Sequence, residues 1–276
     1  MNFLFVADPL SSFKIYKDTT FAMMREAQRC GHAISVCEVR DLMWQRGGPV
    51  TAYVRDITLT GDPVHWFSAA QQAPDERPQA LKDFDAVVMR KDPPFDSEYF
   101  YATHLLEQIQ DRVLVVNDPA EVRNAPEKLF VLRFPDLMPP TLVTKSLEEA
   151  MDFRARHGAI VVKPLYGNAG TAVFLIDKND GNLPALVELF SSVWREPFMV
   201  QAFLPSVAEG DKRIVLVDGE PAGAINRLPK KGEIRSHLAA GGSAQPTELT
   251  AREQEICARL GPELKKRGLI FVGIDV

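Results

Sequence analysis

The amino-acid sequence predicts a mixed α/β and α+β protein that is built from two domains. In residues 1–124, short apolar runs alternate with amphipathic segments, which is the pattern of a mostly parallel sheet covered by helices. In residues 125–276 the strand signals come in hairpin pairs, and Asp218-Gly219 between two apolar runs favours a type I′ turn. The length of 276 residues is enough for two medium domains.

In the first domain, four apolar runs are predicted to be strands, at residues 3–7, 33–39, 84–89 and 113–116. Asp18, Thr19 or Thr20 is predicted to cap a helix that ends at Cys30. Asp96 or Ser97 caps a second helix, whose buried face consists of Ala102, Leu105, Leu106 and Ile109.

The second domain contains two capping boxes, which predict where two helices begin. In each box a Ser or Thr is followed three residues later by Glu, as in Ser146-Leu147-Glu148-Glu149 and Thr250-Ala251-Arg252-Glu253. A further helix is predicted at residues 184–194, and Pro126 begins a short helix that ends at Phe130. Strands are predicted at residues 141–144, 159–163, 171–177, 197–203, 211–217, 220–227 and 269–276.

Composition excludes several classes of function. A formal net charge of −5 argues against a nucleic-acid partner or an anionic membrane held by bulk charge. The three cysteines, Cys30, Cys37 and Cys257, form neither a disulfide framework nor a metal-ligand pattern. Because the sequence shows no signal peptide and no membrane-spanning run, we expect a cytoplasmic protein.

Residues 163–170, with the sequence KPLYGNAG, place a lysine at the end of an apolar strand and small residues in the loop behind it. Small residues let backbone N–H groups approach phosphate oxygens closely, and Lys163 adds a positive charge. The pattern is neither a Walker A motif nor G-x-G-x-x-G. It favours a phosphate site, and the alternative is an ordinary turn beside a surface lysine.

A basic cluster contrasts with the acidic protein as a whole: Lys212, Arg213, Arg227, Lys230, Lys231 and Arg235. Arg213 and Arg227 fall on the two strands of the predicted hairpin, where like charges repel unless an anion lies among them or water screens them. A bound triphosphate would supply that anion, and the alternative is a solvated charged face. The glycine-containing segment 228–244 is long for a loop and is typical of a mobile lid, and the alternative is a loop that is merely disordered.

Two further segments have the composition of a nucleotide site. Residues 197–205 form an apolar strand that runs into Pro205, where backbone groups can meet an adenine edge while apolar side chains sandwich the ring. Asp275 ends an apolar strand, and a lone carboxylate there suits Mg²⁺ in combination with substrate phosphates. A plain core strand and a surface aspartate are the respective alternatives.

Six short stretches follow one another along the chain: KDTTFAM at 17–23, MRKDPPFD at 89–96, NAPEKLF at 124–130, GDKR at 210–213, LAAGG at 238–242 and GLIFVGID at 268–275. In this order they resemble bacterial glutathione synthetase, a family of the ATP-grasp superfamily, over essentially the whole chain. The resemblance implies a pre-ATP-grasp domain with a parallel sheet at residues 1–124. It implies an ATP-grasp domain at 125–276, with a lid at about 128–205 and a C-terminal sheet at 206–276.

The resemblance also implies roles for individual residues. The nucleotide would be bound by Lys128, Lys163, Gly167, Gly170, Gln201, Phe203, Leu204 and Asp211, with the segment from Gln201 to Leu204 holding the adenine. Three arginines would act near the phosphates and the acyl group: Arg213, Arg227 and, from the lid, Arg235. Asp275 would be the first metal ligand. The loops around Asp18 and Asp92 would help to form the side that binds the peptide substrate.

The implied reaction joins γ-glutamylcysteine to glycine. ATP, with Mg²⁺ or Mn²⁺, phosphorylates the C-terminal carboxylate of the dipeptide, the glycine amine attacks the acyl phosphate, and ADP and phosphate leave. We expect small-molecule substrates, no nucleic-acid or membrane partner, and a homo-oligomer. The alternatives are another ATP-grasp carboxylate–amine ligase and a non-catalytic nucleotide-binding remnant.

The chain departs from the family at several positions. It ends at Val276, whereas the family continues with a turn and a Glu-x-Asn stretch that supplies further metal ligands. The sequence is therefore expected to be a C-terminally truncated ATP-grasp fold with an incomplete metal site. His237 stands where an asparagine is usual, Ala169 where a glycine is common, and Lys230-Lys231 alters the lid.

Overall fold

The computed structural model describes residues 1–69, 77–166, 171–230 and 243–276, and it confirms the mixed α/β and α+β class. Two compact units are found. Unit 1 contains Met1–Asn124 with Leu264–Phe271, and unit 2 contains Ala125–Glu263 with Val272–Val276. Within the described residues, no helix combines the length and the apolar character that crossing a bilayer requires.

The described residues of unit 1 form nine strands: β1 (Asn2–Ala7), β2 (Ala33–Cys37), β3 (Leu42–Trp44), β4 (Val50–Ala52), β5 (Arg55–Leu59), β6 (Phe67–Ala69), β7 (Gln79–Ala80), β8 (Ala86–Arg90) and β9 (Leu114–Val116). A six-stranded sheet has the order β6-β5-β2-β1-β8-β9. The pairs formed among β2, β1, β8 and β9 are parallel, whereas β5 and β6 extend the sheet in antiparallel fashion. The mostly parallel sheet is thus confirmed, but the sequence analysis did not identify strands β3 to β7.

Helices cover both faces of this sheet: α1 (Thr19–Arg29) and α2 (Ser97–Glu107), with the short α3 (Pro119–Asn124) following β9. Of the three predicted candidates, Asp18 caps α1 by accepting a hydrogen bond from the Phe21 N–H at 2.9 Å. Successive residues of β1 point to opposite faces. Leu4 packs in one apolar cluster with Leu106 of α2, and Phe5 packs in another with Met24 of α1.

The first sheet of unit 2 consists of β10 (Thr141–Thr144), β11 (Ile160–Pro164), β12 (Phe174–Ile176) and β13 (Phe198–Ala202), in the antiparallel order β10-β13-β11-β12. Helices α4 (Leu147–His157) and α5 (Leu183–Val193) pack on it through buried Phe153 and Leu186. The Ser146 hydroxyl accepts a hydrogen bond from the Glu149 N–H at 3.2 Å, which confirms the predicted cap.

The predicted short helix from Pro126 to Phe130 is wrong. The Pro126 carbonyl accepts hydrogen bonds from the Leu129 and Phe130 N–H groups, which closes a single turn. Leu132 then donates to Leu129 with the three-residue spacing of a 3-10 helix, which covers Phe130–Arg133. The four-residue spacing of an α-helix is therefore not propagated beyond the first turn, and Lys128 lies in this turn rather than in a helix.

The second sheet of unit 2 has the order β16-β15-β14-β17, formed by β14 (Asp211–Val217), β15 (Glu220–Leu228), β16 (Ser243–Pro246) and β17 (Phe271–Asp275). Asp218 and Gly219 have φ values of 51° and 84°, as the predicted type I′ turn requires. Helix α6 (Ala251–Lys266) begins with the predicted capping box, in which the Thr250 N–H donates to Glu253 at 2.7 Å. Most of the predicted mobile lid at residues 228–244, with His237, lies outside the described residues.

Candidate active site

Two arginines and two aspartates form a continuous hydrogen-bonded chain across β15, β14 and β17 in unit 2. Asp211 and Arg227 lie directly opposite each other in the antiparallel register. The Arg227 Nε donates to Asp211 Oδ1 at 2.8 Å, and its Nη2 donates to Asp211 Oδ2 at 2.6 Å. The same Nη2 lies 2.9 Å from Asp275 Oδ1, so Arg227 links the two carboxylates.

Arg213, the second arginine, completes this series of hydrogen bonds. Arg213 lies opposite Ile225 in the register, and its guanidinium reaches Asp275. Its Nη2 donates to Asp275 Oδ2 at 2.9 Å, and its Nε donates to Oδ1. From the sequence, these arginines were predicted to be screened by water or to surround an anion such as a bound triphosphate. The structure places Asp211 and Asp275 there, so the protein's own carboxylates neutralise both arginines.

The side chains in this group of ion pairs are buried to different extents. The Arg227 side chain is only 7% exposed, whereas those of Arg213 and Asp275 are 39% and 41% exposed. Burial by itself would raise the pKa of Asp275, but the hydrogen bond from Arg213 and the charges of both arginines outweigh it, so the pKa lies below its ordinary value. Asp275 is therefore ionised at neutral pH, as a metal ligand or an ion-pair partner must be.

Two lysines from different elements approach each other near the end of β11. The Lys128 Nζ donates to Glu127 Oε1 at 2.6 Å and to the Leu165 carbonyl at 3.4 Å. Burial lowers the pKa of Lys163, and the charge of Lys128 lowers it further, while Glu127 and Asp275 oppose the shift. Among the described residues, no carboxylate forms an ion pair with Lys163, so this partly buried ammonium has no partner of opposite charge there.

The end of β13 presents backbone groups that its neighbours do not use. The Ala202 N–H donates to the Pro140 carbonyl at 3.0 Å, but proline has no N–H to return to the Ala202 carbonyl. In the described part of the chain, the Leu204 N–H has no hydrogen-bond acceptor. Because residues two apart on an extended chain point the same way, the Ala202 carbonyl and the Leu204 N–H face one side.

The side chains of this segment have different surroundings. The Gln201 Nε2 donates to the Thr141 hydroxyl at 2.8 Å, which fixes the amide within the sheet. The Phe203 N–H donates to the Ala159 carbonyl at 3.0 Å, and the Leu204 side chain is exposed. Three other candidates, Gly167, Gly170 and Arg235, lie outside the described residues.

In unit 1, charged residues gather at the carboxyl ends of β1 and β8. The Asp8 carboxylate accepts hydrogen bonds from Lys91 Nζ at 3.0 Å and from the Asp92 N–H at 2.7 Å. Burial and the charges of Asp8 and Asp18 raise the pKa of Asp92, while Arg90 and Lys91 oppose the shift. The chain crosses from β1 to β2 on one side and β8 lies on the other, so these residues occupy the position where open α/β sheets bind ligands.

Models of two protein domains match almost the whole chain. The prokaryotic glutathione synthetase N-terminal domain matches residues 1–123, and the prokaryotic glutathione synthetase ATP-grasp domain matches residues 127–276. The chain belongs to the prokaryotic glutathione synthetase family. The family predicted from the six sequence stretches is thereby confirmed.

Curated members of this family from several bacteria are similar to the chain. Glutathione synthetase of Bradyrhizobium diazoefficiens is 48% identical over 276 residues, which cover 100% of this chain and 86% of the relative. The enzyme of Rhodopseudomonas palustris is 49% identical over 269 residues, covering 98% of this chain and 84% of the relative. That of Vibrio cholerae is 44% identical over 273 residues, with coverages of 98% and 84%.

Solved structures show the same fold at low sequence identity. The D-cycloserine synthetase DcsG superposes with a TM-score of 0.66 at 16% identity, over 99% of this chain and 86% of that chain. A RiPP-associated ATP-grasp ligase of Chryseobacterium gregarium gives a TM-score of 0.64 at 17% identity, over 100% and 84% of the two chains. The predicted ATP-grasp fold is confirmed.

The donor set of this glutathione synthetase family member suits a divalent cation that is also held by phosphate. In the part of the chain that the structure describes, no three His, Cys, Asp or Glu side chains converge as metal ligands. Asp211 and Asp275 nevertheless share the Nη2 of Arg227, which brings two carboxylates close together. Mg²⁺ in proteins usually takes one or two carboxylates plus substrate phosphates and water, and this donor set fits that pattern.

Sequence reasoning missed several residues of these sites. Asp8 comes directly after the predicted strand at 3–7, and Lys91 lies two residues after the predicted strand at 84–89, so their position at strand ends was the available signal. Backbone groups of residues 197–205 were predicted to meet an adenine edge, but Ala202 itself was not singled out. Its signal was Pro140, which cannot donate to the strand opposite.

Proposed function

We propose that this protein uses ATP and Mg²⁺ or Mn²⁺ to join γ-glutamylcysteine to glycine, which yields glutathione, ADP and phosphate. Family membership and relatives of 44–49% identity that are named glutathione synthetase support the reaction. The observation that carries the nucleotide site is the partly buried Lys163 ammonium, which has no carboxylate partner among the described residues and lies within range of Lys128. Two like charges brought together in this way are stabilised by a polyphosphate.

Adenine recognition is assigned to the backbone at the end of β13. The Ala202 carbonyl would accept from the exocyclic amine of adenine, and the Leu204 N–H would donate to a ring nitrogen. Their same-side orientation and their lack of partners in β10 support this assignment. Gln201, through its bond to Thr141, would hold this edge in place, and Phe203 and Leu204 would contact the ring.

Asp275, with Asp211 beside it, would hold the divalent cation. The cation, when bound, offsets negative charge on the phosphates during phosphoryl transfer. Arg213 and Arg227 would stabilise charge on the phosphoryl and acyl groups, together with Arg235. The reaction needs no protein nucleophile, because the substrate carboxylate attacks ATP and the amine of glycine attacks the acyl phosphate. Catalysis then rests on positioning and on electrostatic stabilisation.

The carboxyl ends of β1 and β8 in unit 1 are assigned to the dipeptide substrate. γ-Glutamylcysteine carries carboxylates and an ammonium, and Arg90, Lys91, Asp8 and Asp92 offer partners of both signs. The Lys91–Asp8 pair fixes two of these groups before a substrate arrives. The loop around Asp18 belongs to the same assignment. A cytoplasmic location and a homo-oligomeric state are further proposals for this enzyme.

Release of ADP by the purified chain tests the proposal. We expect ADP to form only when ATP, a divalent cation, γ-glutamylcysteine and glycine are all present, with glutathione formed in equal amount. Substitution of other amines for glycine separates this function from that of another carboxylate–amine ligase. ATP binding without ADP release in the complete mixture would instead identify a non-catalytic nucleotide-binding protein.

A further inference from the structure

The guanidinium of Arg213 lies directly over Gly273 on its way to Asp275. A methyl group built on Gly273 would be 2.9 Å from the Arg213 Cδ, 3.2 Å from its Nη1 and 3.4 Å from its Nε. Gly273 does not have a positive φ, so its backbone conformation is open to other residues. A glycine at position 273 is therefore required by the space that the Arg213 side chain occupies, and not by the backbone conformation of β17.

The two arginines on Asp275 differ in how firmly they are held. Arg227 is buried, and it also forms a bidentate pair of hydrogen bonds with Asp211. Arg213 is partly exposed, and among the described residues its only ion-pair partner is Asp275. Arg213 can therefore leave Asp275 for solvent or for another anion, whereas Arg227 cannot leave without exposing a buried pair.

Both oxygens of Asp275 accept hydrogen bonds from Arg213. A cation that binds this carboxylate must share at least one of those oxygens, and its double positive charge repels the guanidinium at the same place. Arg213 and a divalent cation therefore compete for Asp275.

We propose that Arg213 occupies the cation position on Asp275 until a divalent metal displaces it. Gly273 leaves the space that the Arg213 side chain needs while it is paired with Asp275. This inference rests on the proposed function, because it takes Asp275 as the metal ligand. Its consequence is that the metal frees a guanidinium beside the phosphates, where the anionic groups of the reaction gather. Arg213 then passes from an internal ion pair to the substrates only when the metal has bound.

The test is the affinity of Mn²⁺ for the enzyme saturated with ADP, measured by the relaxation rate of water protons in the absence of turnover. Because Arg213 competes with the metal, Arg213→Ala is expected to lower the dissociation constant of Mn²⁺ by roughly two- to fivefold, the size expected for loss of a partly exposed ion pair. The matched control is Lys178→Ala, which removes an exposed cation of unit 2 that makes no ion pair in the described structure. It is expected to leave Mn²⁺ affinity unchanged.

Gly273→Ala separates competition from a general effect of charge. The variant keeps the positive charge of Arg213 but pushes its Cδ away from position 273, so Mn²⁺ is expected to bind more tightly here too. If Gly273 were needed only for the structure of β17, Gly273→Ala would distort the strand and weaken Mn²⁺ binding instead. In the Arg213→Ala background, Gly273→Ala is expected to have no further effect, since the three atoms nearest to the methyl group all belong to the part of the Arg213 side chain that is then removed.

Weaker or unchanged Mn²⁺ binding in Arg213→Ala, with ADP still bound, overturns the inference. Tighter binding in Arg213→Ala but weaker binding in a folded Gly273→Ala overturns the assigned role of the glycine. If Gly273→Ala does not fold, the comparison of Arg213→Ala with Lys178→Ala decides the competition alone. A wild-type chain that binds neither ADP nor Mn²⁺ with ADP contradicts the proposed function itself, and the inference with it.

Discussion

The side-chain amide of Asn117 forms two hydrogen bonds with the backbone of Phe271 in unit 1. Its Nδ2 donates to the Phe271 carbonyl at 2.9 Å, and its Oδ1 accepts from the Phe271 N–H at 2.8 Å. The amide thus imitates the backbone of a neighbouring strand at the first residue of β17. The sequence separation of 154 residues makes this a contact that only the folded chain can form.

Replacing Asn117 is therefore expected to lower stability. Asn117→Ala removes both partners of the Phe271 backbone, and a lost hydrogen bond to a partly buried group costs about 1–2 kcal/mol of the free energy of unfolding. Urea denaturation measures the change. Asn124→Ala is the matched control, because this exposed asparagine makes no side-chain hydrogen bond in the described structure. Equal stability of the two variants would contradict the role of Asn117.

Lys163→Ala is expected to weaken ATP binding. The ammonium has no carboxylate partner among the described residues, so a phosphate would be its first strong acceptor. Loss of a hydrogen bond to a charged group costs about 1.5–3 kcal/mol, which raises the dissociation constant roughly ten- to hundredfold. Isothermal titration calorimetry measures it, with Lys178→Ala as the control for loss of a positive charge. Unchanged affinity in Lys163→Ala would refute the assignment.

The lowered pKa of Lys163 also predicts how nucleotide affinity depends on pH. Burial and Lys128 bring this pKa below its ordinary value of 10.5, so the free enzyme loses the proton at a lower pH than an exposed lysine does. Bound phosphates favour the charged form, so the complex holds its proton to a higher pH. Affinity for ATP is therefore constant below the lowered pKa and falls as pH rises through it.

Lys163→Arg isolates this contribution to the pH profile. Arginine stays charged throughout the range, so the alkaline fall in affinity is expected to disappear in the variant. The affinity of both proteins for ATP is measured from pH 7 upwards by calorimetry. Coincident alkaline profiles for the wild type and Lys163→Arg would show that Lys163 does not titrate on nucleotide binding.

Arg227→Met is expected to destabilise the second sheet of unit 2. Removal of the Arg227 guanidinium leaves Asp211 without its bidentate partner, and it leaves Arg213 as the ion-pair partner of Asp275. Removing one member of a largely buried ion pair costs about 2–3 kcal/mol in a site whose carboxylates are partly exposed. The free energy of unfolding from guanidinium titration checks this value. Arg29→Met, which breaks the exposed pair with Glu26, should leave it unchanged.

Local signals in the sequence were sufficient for the helix starts and the hairpin. Asp18, Ser146 and Thr250 satisfy N–H groups within three residues, so their capping roles depend on neighbours along the chain alone. The Asp218-Gly219 turn is likewise decided by two backbone conformations. Strands β3 to β7 were missed, because several are only two or three residues long and gain their stability from partners in the sheet.

The candidate site was predicted in its residue types but not in its pairing. The sequence places Arg213 and Arg227 in one hairpin, yet the register puts Arg227 opposite Asp211 and Arg213 opposite Ile225. Arg227 meets Asp211 within the hairpin, but both arginines reach Asp275 only because β17 joins β14 in the sheet. That partner comes from the end of the chain, and no pattern within the hairpin specifies it.

The sequence by itself determined the family, the mixed fold class, the caps and the set of charged residues, since each follows from neighbouring residues or from motif order. The tertiary structure alone decided that Asp211 and Asp275 neutralise the two arginines, that Gly273 leaves room for Arg213, and that no described residue donates a hydrogen bond to the Ala202 carbonyl. The physical reason is range. Capping and turn formation act over a few residues, whereas ion pairing, steric space and backbone pairing depend on which strands come together in the folded chain.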